Sequence, residues 1–458
     1  MSGRAPSSPR RKAVAQRPAP DGRDLAVRAL ASMDGGMPVQ AAVDAVLGAC
    51  TLPVRERRLC AELVYGCARE RIRCDFLLGR LLRQPGRLPR PMLHSLAIAV
   101  HSLLFQERIP AHAAVSSSVA QIRALYGERL ARVANGVLRS LQRLGQAPFE
   151  QAWYAEPSDP QNLRQWRAAC RFWSMPESIA DIWRDAYGEE TALALLRRSF
   201  RRPWTGVRIN ARHSRAASLR HALAAAVPAE ERMLLGTSGL AVAPGALPEE
   251  VLGAPLAQWR EAGALEFQSA GSQLVLAELG LLRWELPVWD ACAGVGGKTR
   301  ALAEAGVPVR LATDNSAARL ARLTAAAAAC SGAPCIARAD ATQPPVRNWG
   351  GHILVDAPCS GLGVLARRPD IRFPGRRSGA VMRAYPALQG RILSTLAARL
   401  EPSRELAYLT CTLNPAENEH VVGALLKNDV RLELVRSWTT PMDHPWLEGM
   451  YGALLRRR

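Results

Sequence analysis

The chain has 458 residues, 48% of them apolar, with 60 basic against 40 acidic residues and a formal charge of +20. That length exceeds one ordinary core and calls for two or three domains, while no apolar stretch reaches the roughly 18 to 20 residues of a membrane helix. The basic excess, carried almost wholly by arginine, points to a polyanion partner such as RNA rather than to a membrane.

Residues 1–20 are rich in Arg, Pro, Ser and Ala and are expected to form a disordered basic tail. This segment has no apolar run of the secretory kind, so a cytoplasmic address is expected. Ten cysteines in that setting are expected to be reduced, and none forms a Cys-x-x-Cys pair, so no metal is expected. Cys50, Cys60, Cys67, Cys74, Cys170, Cys330 and Cys335 read as small apolar fillers.

From 21 to 145 the apolar spacing is helical. Leu25, Ala26, Ala29 and Leu30 share a face, as do Leu59, Leu63 and Val64, and then Leu93, Leu96, Ala97, Val100 and Leu104. Breaks at Gly35-Gly36, Gln84-Pro-Gly86 and Ile109-Pro110 divide the stretch into five to seven helices. Residues 146–258 read as a linker followed by a small α+β subdomain, with a helix from Phe172 to Arg197 and a strand at Gly206–Asn210. Arg197, Arg198, Arg201 and Arg202 form a basic cluster, read as an RNA contact surface or a solvated helix end. From 259 to 458 the pattern becomes α/β. Strands are expected at Val288–Trp289, Val309–Ala312, Cys335–Ala337, Ile353–Val355 and Ala407–Leu409, with a helix at Ala317–Ala329.

Three segments of this last region carry chemistry. Asp290-Ala-Cys292-Ala293-Gly294-Val295-Gly296-Gly297-Lys298 follows the first of these strands. Its three glycines, Gly294, Gly296 and Gly297, can adopt positive φ and let backbone amides approach a ligand. It is neither the dinucleotide pattern nor a Walker A loop. Asp314, about 20 residues on at the end of the next strand, suits the hydroxyls of a ribose. Asp340, one βα unit later, suits an adenine amino group. Each acid alone reads equally well as a helix N-cap. Lys298 is one of three lysines in an arginine-rich chain, so a compact ammonium is wanted there, paired with a cofactor carboxylate or with Asp356.

Cys359 in Asp356-Ala-Pro-Cys-Ser-Gly361 and Cys411 in Thr410-Cys-Thr412 each follow an apolar strand, where open α/β sheets bind ligands. With the glycine-rich segment upstream, two such thiols suggest an enzyme that bonds covalently to a base while holding a nucleotide-like cofactor. Pro358 would fix the turn that aims Cys359, and Asp356 could face both the base and the cofactor. Chemistry alone leaves open which cysteine attacks.

These segments, with Arg367-Arg-Pro-Asp370, Asn414-Pro-Ala-Glu-Asn-Glu419 and Glu448–Arg456, resemble the Sun/Fmu (Nol/Nop/Sun) RNA cytosine carbon-5 methyltransferases. Leu63–Arg69, Arg108–Ala114 and Asn135–Arg139 resemble a NusB-like RNA-binding domain, a combination found in the bacterial 16S ribosomal RNA enzymes. The resemblance implies an all-α NusB-like domain, a small α+β connector and a Rossmann-like methyltransferase domain. It implies S-adenosylmethionine as cofactor, bound by Cys292 to Lys298, Asp314, Asp340 and Asp356. It also implies Cys411 as nucleophile, Cys359 in product release, 16S ribosomal RNA as substrate and a monomer. Within it His112 is structural rather than a base. Transfer RNA methylation and a non-catalytic RNA-binding role are the alternatives. The family loop Cys-Ala-Ala-Pro-Gly-Gly-Lys-Thr stands here as Cys292-Ala-Gly-Val-Gly-Gly-Lys-Thr299, which is expected to be looser. The family's Gln-Asp-x-Ser-Ala-Gln is Gln268-Ser-Ala-Gly-Ser-Gln273, without its acid.

Overall fold

The computed structural model describes residues 20–106, 110–327, 332–373 and 379–458. The tail expected to be disordered, apart from Pro20, lies outside them, as do Ile109, Cys330 and the end of the Ala317–Ala329 helix. The chain divides into two units, Met1–Cys67 with Gln84–Arg139, and Ala68–Arg83 with Ser140–Arg458.

The first unit is helical. Helix Gly22–Asp34 starts on a capping box in which Asp21 accepts the Asp24 amide and Asp24 reaches back to the Asp21 amide. Leu25, Ala26, Ala29 and Leu30 are buried, as their spacing predicts. Helices Val39–Gly48, Val54–Arg69, Arg90–Leu104, Ala111–Tyr126 and Glu128–Arg143 follow. His112 is exposed in the first turn of its helix.

Helix Arg71–Leu81 belongs to the second unit. Its Arg73 guanidinium lies 4.3 Å from the Phe172 ring centroid and donates to the Tyr154 hydroxyl at 2.9 Å. The segment after 146, read as a linker, is ordered by that same aromatic group. Tyr154 and Trp166 are buried, and Arg171 pairs with Asp159 at 2.6 Å. Helix Arg164–Phe172 falls in the stretch read as a linker, and two helices, Glu177–Tyr187 and Glu189–Phe200, run where one was expected from Phe172 to Arg197.

A small sheet comes next, with strands β1 (Thr205–Ile209), β2 (Arg232–Leu235) and β3 (Gly239–Val242), a two-stranded ribbon of β4 (Glu250–Val251) and β5 (Ala254–Pro255), and β6 (Leu265–Phe267). Its order is β2-β3-β1-β6, antiparallel at every pair.

The large sheet holds β7 (Val288–Asp290), β8 (Val309–Asp314), β9 (Cys335–Arg338), β10 (His352–Asp356), β11 (Glu405–Thr410), β12 (Leu432–Thr439) and β13 (Tyr451–Arg457). Their order is β12-β13-β11-β10-β7-β8-β9. The five strands from β11 to β9 are parallel; β13 runs antiparallel to both β11 and β12. Alternate residues feed two cores. Ile353, Val355, Leu406 and Tyr408 enter one, while Leu354, Ala407 and Leu409 enter the other. Burial on both faces explains why β10 and β11 read as continuous apolar runs. Strand order reverses between β7 and β10, and such a switch point is where an open α/β sheet leaves a crevice.

Candidate active site

The glycine-rich segment turns out of β7 into helix Gly297–Glu304. Gly294 has φ +58° and Gly296 +85°. Gly297 does not use that freedom and is the first helical residue. A Cβ on Gly296 would strike the Leu323 side chain, so glycine is needed there for packing as well as for φ. Asp290, 1% exposed, supports the segment from below. It accepts the Thr299 hydroxyl at 2.7 Å and the Cys292 amide at 3.4 Å.

The two downstream acids differ in what occupies them. Asp314 accepts the Gly294 amide at 3.0 Å and the Ser316 amide at 2.8 Å, with Arg319 at 3.3 Å. Its oxygens therefore already brace the glycine turn. Asp340 is exposed and accepts both the amide and the hydroxyl of Thr342 at 2.8 Å, which lowers its carboxyl below the ordinary range. The Ala339 amide bonds the Asp314 carbonyl at 3.1 Å, so both acids stand at the same end of the sheet.

The surroundings fit an adenosyl amino acid. Gly294 faces open space: a Cβ there meets no atom within 4 Å. Helix Gly297–Glu304 has no side-chain cap, so its first amides suit a ligand carboxylate. Ala293 is buried and bonds the Thr313 carbonyl at 2.9 Å, Cys292 is partly exposed, and Val295 is 43% exposed. Burial, with Asp290 and Asp356 nearby, raises the Cys292 thiol well above 9.0, which keeps it protonated.

On the other side of the switch point, β10 and β11 deliver the two cysteines to each other. The pairing Asp356↔Leu409 ends the parallel register, and both loops continue side by side. The Cys359 and Cys411 sulfurs lie 3.2 Å apart, and the Cys411 amide donates to the Cys359 sulfur at 3.3 Å. The Gly363 amide bonds the Cys411 carbonyl at 3.0 Å. Lys298 Nζ sits 2.6 Å from Asp356 Oδ2, which joins the glycine segment to the cysteine loops.

The electrostatics separate the thiols. The hydrogen bond between the sulfurs lowers Cys411 below its ordinary 9.0, against burial and Asp356 and with help from Lys298. The same bond, reinforced by burial, raises Cys359 well above 9.0. The balance favours ionisation of Cys411 over that of Cys359. Lys298 is raised on balance: burial works to lower it and the Asp356 carboxylate outweighs burial.

Other expectations need correction. Arg198 is not part of a surface cluster: it is 8% exposed and donates to the Pro441 carbonyl at 3.0 Å, leaving Arg197, Arg201 and Arg202 outside. Cys335 is exposed on the edge strand β9 and Cys50 is half-buried, so neither is a core filler. A cavity of about 780 Å³ lies between the small sheet and helix Gly297–Glu304, lined by Arg212, Arg260, Glu266 and Arg300 among others, and among the described residues no cysteine lines it. Among the described residues no helix is long and apolar enough to cross a membrane.

The 16S rRNA methyltransferase RsmB/F family matches residues 283–446, and the NusB family matches residues 21–143. The chain is 30% identical to the probable ribosomal RNA small subunit methyltransferase B of Synechocystis sp., over 87% of each sequence. It is 32% identical to ribosomal RNA small subunit methyltransferase B of Pseudomonas putida, over 81% of each. The crystal structure of PH0851 shares the fold, with a TM-score of 0.71 at 18% identity, covering 95% of this chain and 98% of that one. Identity at this level across both the helical and the α/β parts makes the chain a member of the ribosomal RNA small subunit methyltransferase B family.

Proposed function

We propose that this enzyme methylates carbon 5 of a cytosine in 16S ribosomal RNA, with Cys411 as nucleophile. The observation that carries the reading is the contact of two thiols, 3.2 Å apart, at the ends of adjacent parallel strands. Residues 259–458 hold the chemistry. Residues 21–145, with the basic excess of the chain, dock the RNA, and the work is done in the cytoplasm by a monomer.

S-adenosylmethionine, the methyl donor of this family, supplies an electrophilic methyl group when bound. Cys292 to Lys298, Asp314, Asp340 and Asp356 are the residues that would hold it. The target base must leave any helix to reach a thiol at the floor of a crevice. The Cys411 thiolate then forms a bond to carbon 6, and the electron pair of the 5,6 double bond becomes nucleophilic at carbon 5. Asp356, fixed by Lys298, hydrogen-bonds the polar edge of the ring. After carbon 5 is methylated its proton leaves to a base, the sulfur–carbon bond breaks and the pair returns to Cys411. The protonated Cys359 stands 3.2 Å away to hydrogen-bond that departing thiolate, which is its part in release.

The test is transfer of labelled methyl groups to unmodified small-subunit RNA by wild type, Cys411→Ala and Cys359→Ala, with transfer RNA as the control substrate. Wild type forms 5-methylcytosine, Cys411→Ala forms none, and Cys359→Ala accumulates a covalent RNA adduct stable to denaturant. Normal turnover by Cys411→Ala would remove that cysteine from the mechanism. Label entering transfer RNA alone would overturn the substrate.

A further inference from the structure

Just beyond Cys411, the segment Asn414–Glu419 turns back so that two of its side chains meet both cysteine loops. Glu417 is fully buried and has no cationic partner among the described residues. Three N–H groups surround its carboxyl group instead: the Ser360 amide at 2.8 Å, Gln389 Nε2 at 3.1 Å and Asn414 Nδ2 at 3.0 Å. Ser360 directly follows Cys359. A buried acid is costly unless donors are arranged around it, and here one of the three donors belongs to a thiol loop.

Asn418, also fully buried, brackets the other cysteine. Its Oδ1 accepts the Thr410 hydroxyl at 2.6 Å and its Nδ2 donates to the Thr412 carbonyl at 3.0 Å. Both neighbours of Cys411 are thus tied to one amide group. The two ties are linked. Ser360 Oγ and Thr412 Oγ1 are 2.8 Å apart, and the Tyr408 hydroxyl donates to the Glu417 carbonyl at 2.7 Å.

We propose that Glu417 and Asn418 are positioning residues that set the register of the two thiols, Glu417 holding the Cys359 loop and Asn418 the Cys411 loop. The assignment rests on the two-thiol reading above and deepens it, because it divides one short segment between two steps. Loosening the Asn418 tie displaces the nucleophile and impairs addition to carbon 6. Loosening the Glu417 tie displaces the release thiol and leaves the adduct standing. Misplacing a reacting group by about 1 Å costs on the order of 100-fold in rate.

The full chain is assayed with S-adenosylmethionine and unmodified small-subunit RNA. Denaturant-stable adduct, methylated product, cofactor affinity and melting temperature are measured for Asn418→Ala, Glu417→Ala and Glu417→Gln. Asn418→Ala loses adduct and product together, on the order of 100-fold. Glu417→Ala loses product to a similar extent but accumulates adduct, as Cys359→Ala does. Glu417→Gln, which keeps an oxygen for the Ser360 amide, recovers most of the turnover. A residue that served stability alone would lower adduct and product in proportion to folded protein. An adduct-to-product ratio equal to wild type in folded Glu417→Ala, or wild-type adduct per folded molecule in Asn418→Ala, therefore overturns the assignment. If the alanine variants unfold, Asn418→Asp carries the test, since it sets an acceptor against the Thr412 carbonyl at conserved volume. Wild-type adduct levels there overturn the proposal. Absence of adduct from wild type and Cys359→Ala alike overturns the two-thiol reading itself, and this assignment with it.

Discussion

Asp290 offers a measurement in which the sign and size follow from one buried group. It is 1% exposed at the end of β7, and burial, with the Asp356 charge adding to it, pushes its carboxyl from 3.8 up to about 7. The folded state thus holds this proton about three pH units beyond the unfolded chain. For an acid raised on folding, the stabilising difference is complete at low pH and is lost as pH climbs from about 4 to about 7, after which it is flat. At ~1.4 kcal/mol per pH unit the full loss is about 4 kcal/mol. Asp290→Asn keeps the shape, retains an acceptor for the Cys292 amide and removes the ionisation. Urea unfolding of wild type and variant across pH 4.5 to 8 should show the variant gaining about 1 kcal/mol at pH 4.5 and about 4 kcal/mol at pH 8. A difference that does not change with pH would refute the reasoning, for it would mean that Asp290 ionises in the folded protein as it does in water. The function of the site gives a reason to keep such a group. Asp290 is the strut under the glycine segment, and its hydrogen bonds to Thr299 and Cys292 fix that segment.

Two further outcomes test the cysteine loops. Alkylation of Cys411 followed against pH should inflect below the ordinary thiol value of 9.0, and Cys359→Ala, by deleting the bond between the sulfurs, should move that inflection upward; an inflection that stays in place would assign the acidity to another cause. Gly363→Ala would drive a Cβ into the Gly449 carbonyl oxygen and disturb the Gly363–Cys411 bond. It should cost about 1–3 kcal/mol of stability and lower turnover by roughly 10- to 100-fold, whereas Gly390→Ala, with nothing within 4 Å of its Cβ, should leave turnover unchanged.

The two thiols in contact, the glycine turn and Lys298 could be read from the chain because each combines an unusual residue with a strand end. The parallel strands were legible for a related reason, since burial on both faces leaves an uninterrupted apolar run. Strand β12 escaped because a register shift between Leu434 and Arg436 breaks its alternation, and Leu434 and Val435 are exposed. Arg198 looked like part of a surface cluster because spacing reveals neither a carbonyl 243 positions away nor the burial that accompanies it. Glu417 and Asn418 were visible only as part of a family resemblance. A buried polar pair in a 3₁₀ turn has no periodicity to announce it, and its partners come from Ser360, Gln389 and Thr410 to Asn414.

The placement of β13 bears on how the protein comes into being. This strand lies between β11 and β12, although it is the latest of the three in the chain. Synthesis proceeds from the N-terminus, and domains fold as their residues emerge. Until 451–457 emerge from the exit tunnel, one edge of the strand that leads into Cys411 has no partner. The strand that carries Cys411 at its end is therefore the one whose pairing is completed last, after every other strand of the large sheet has been made.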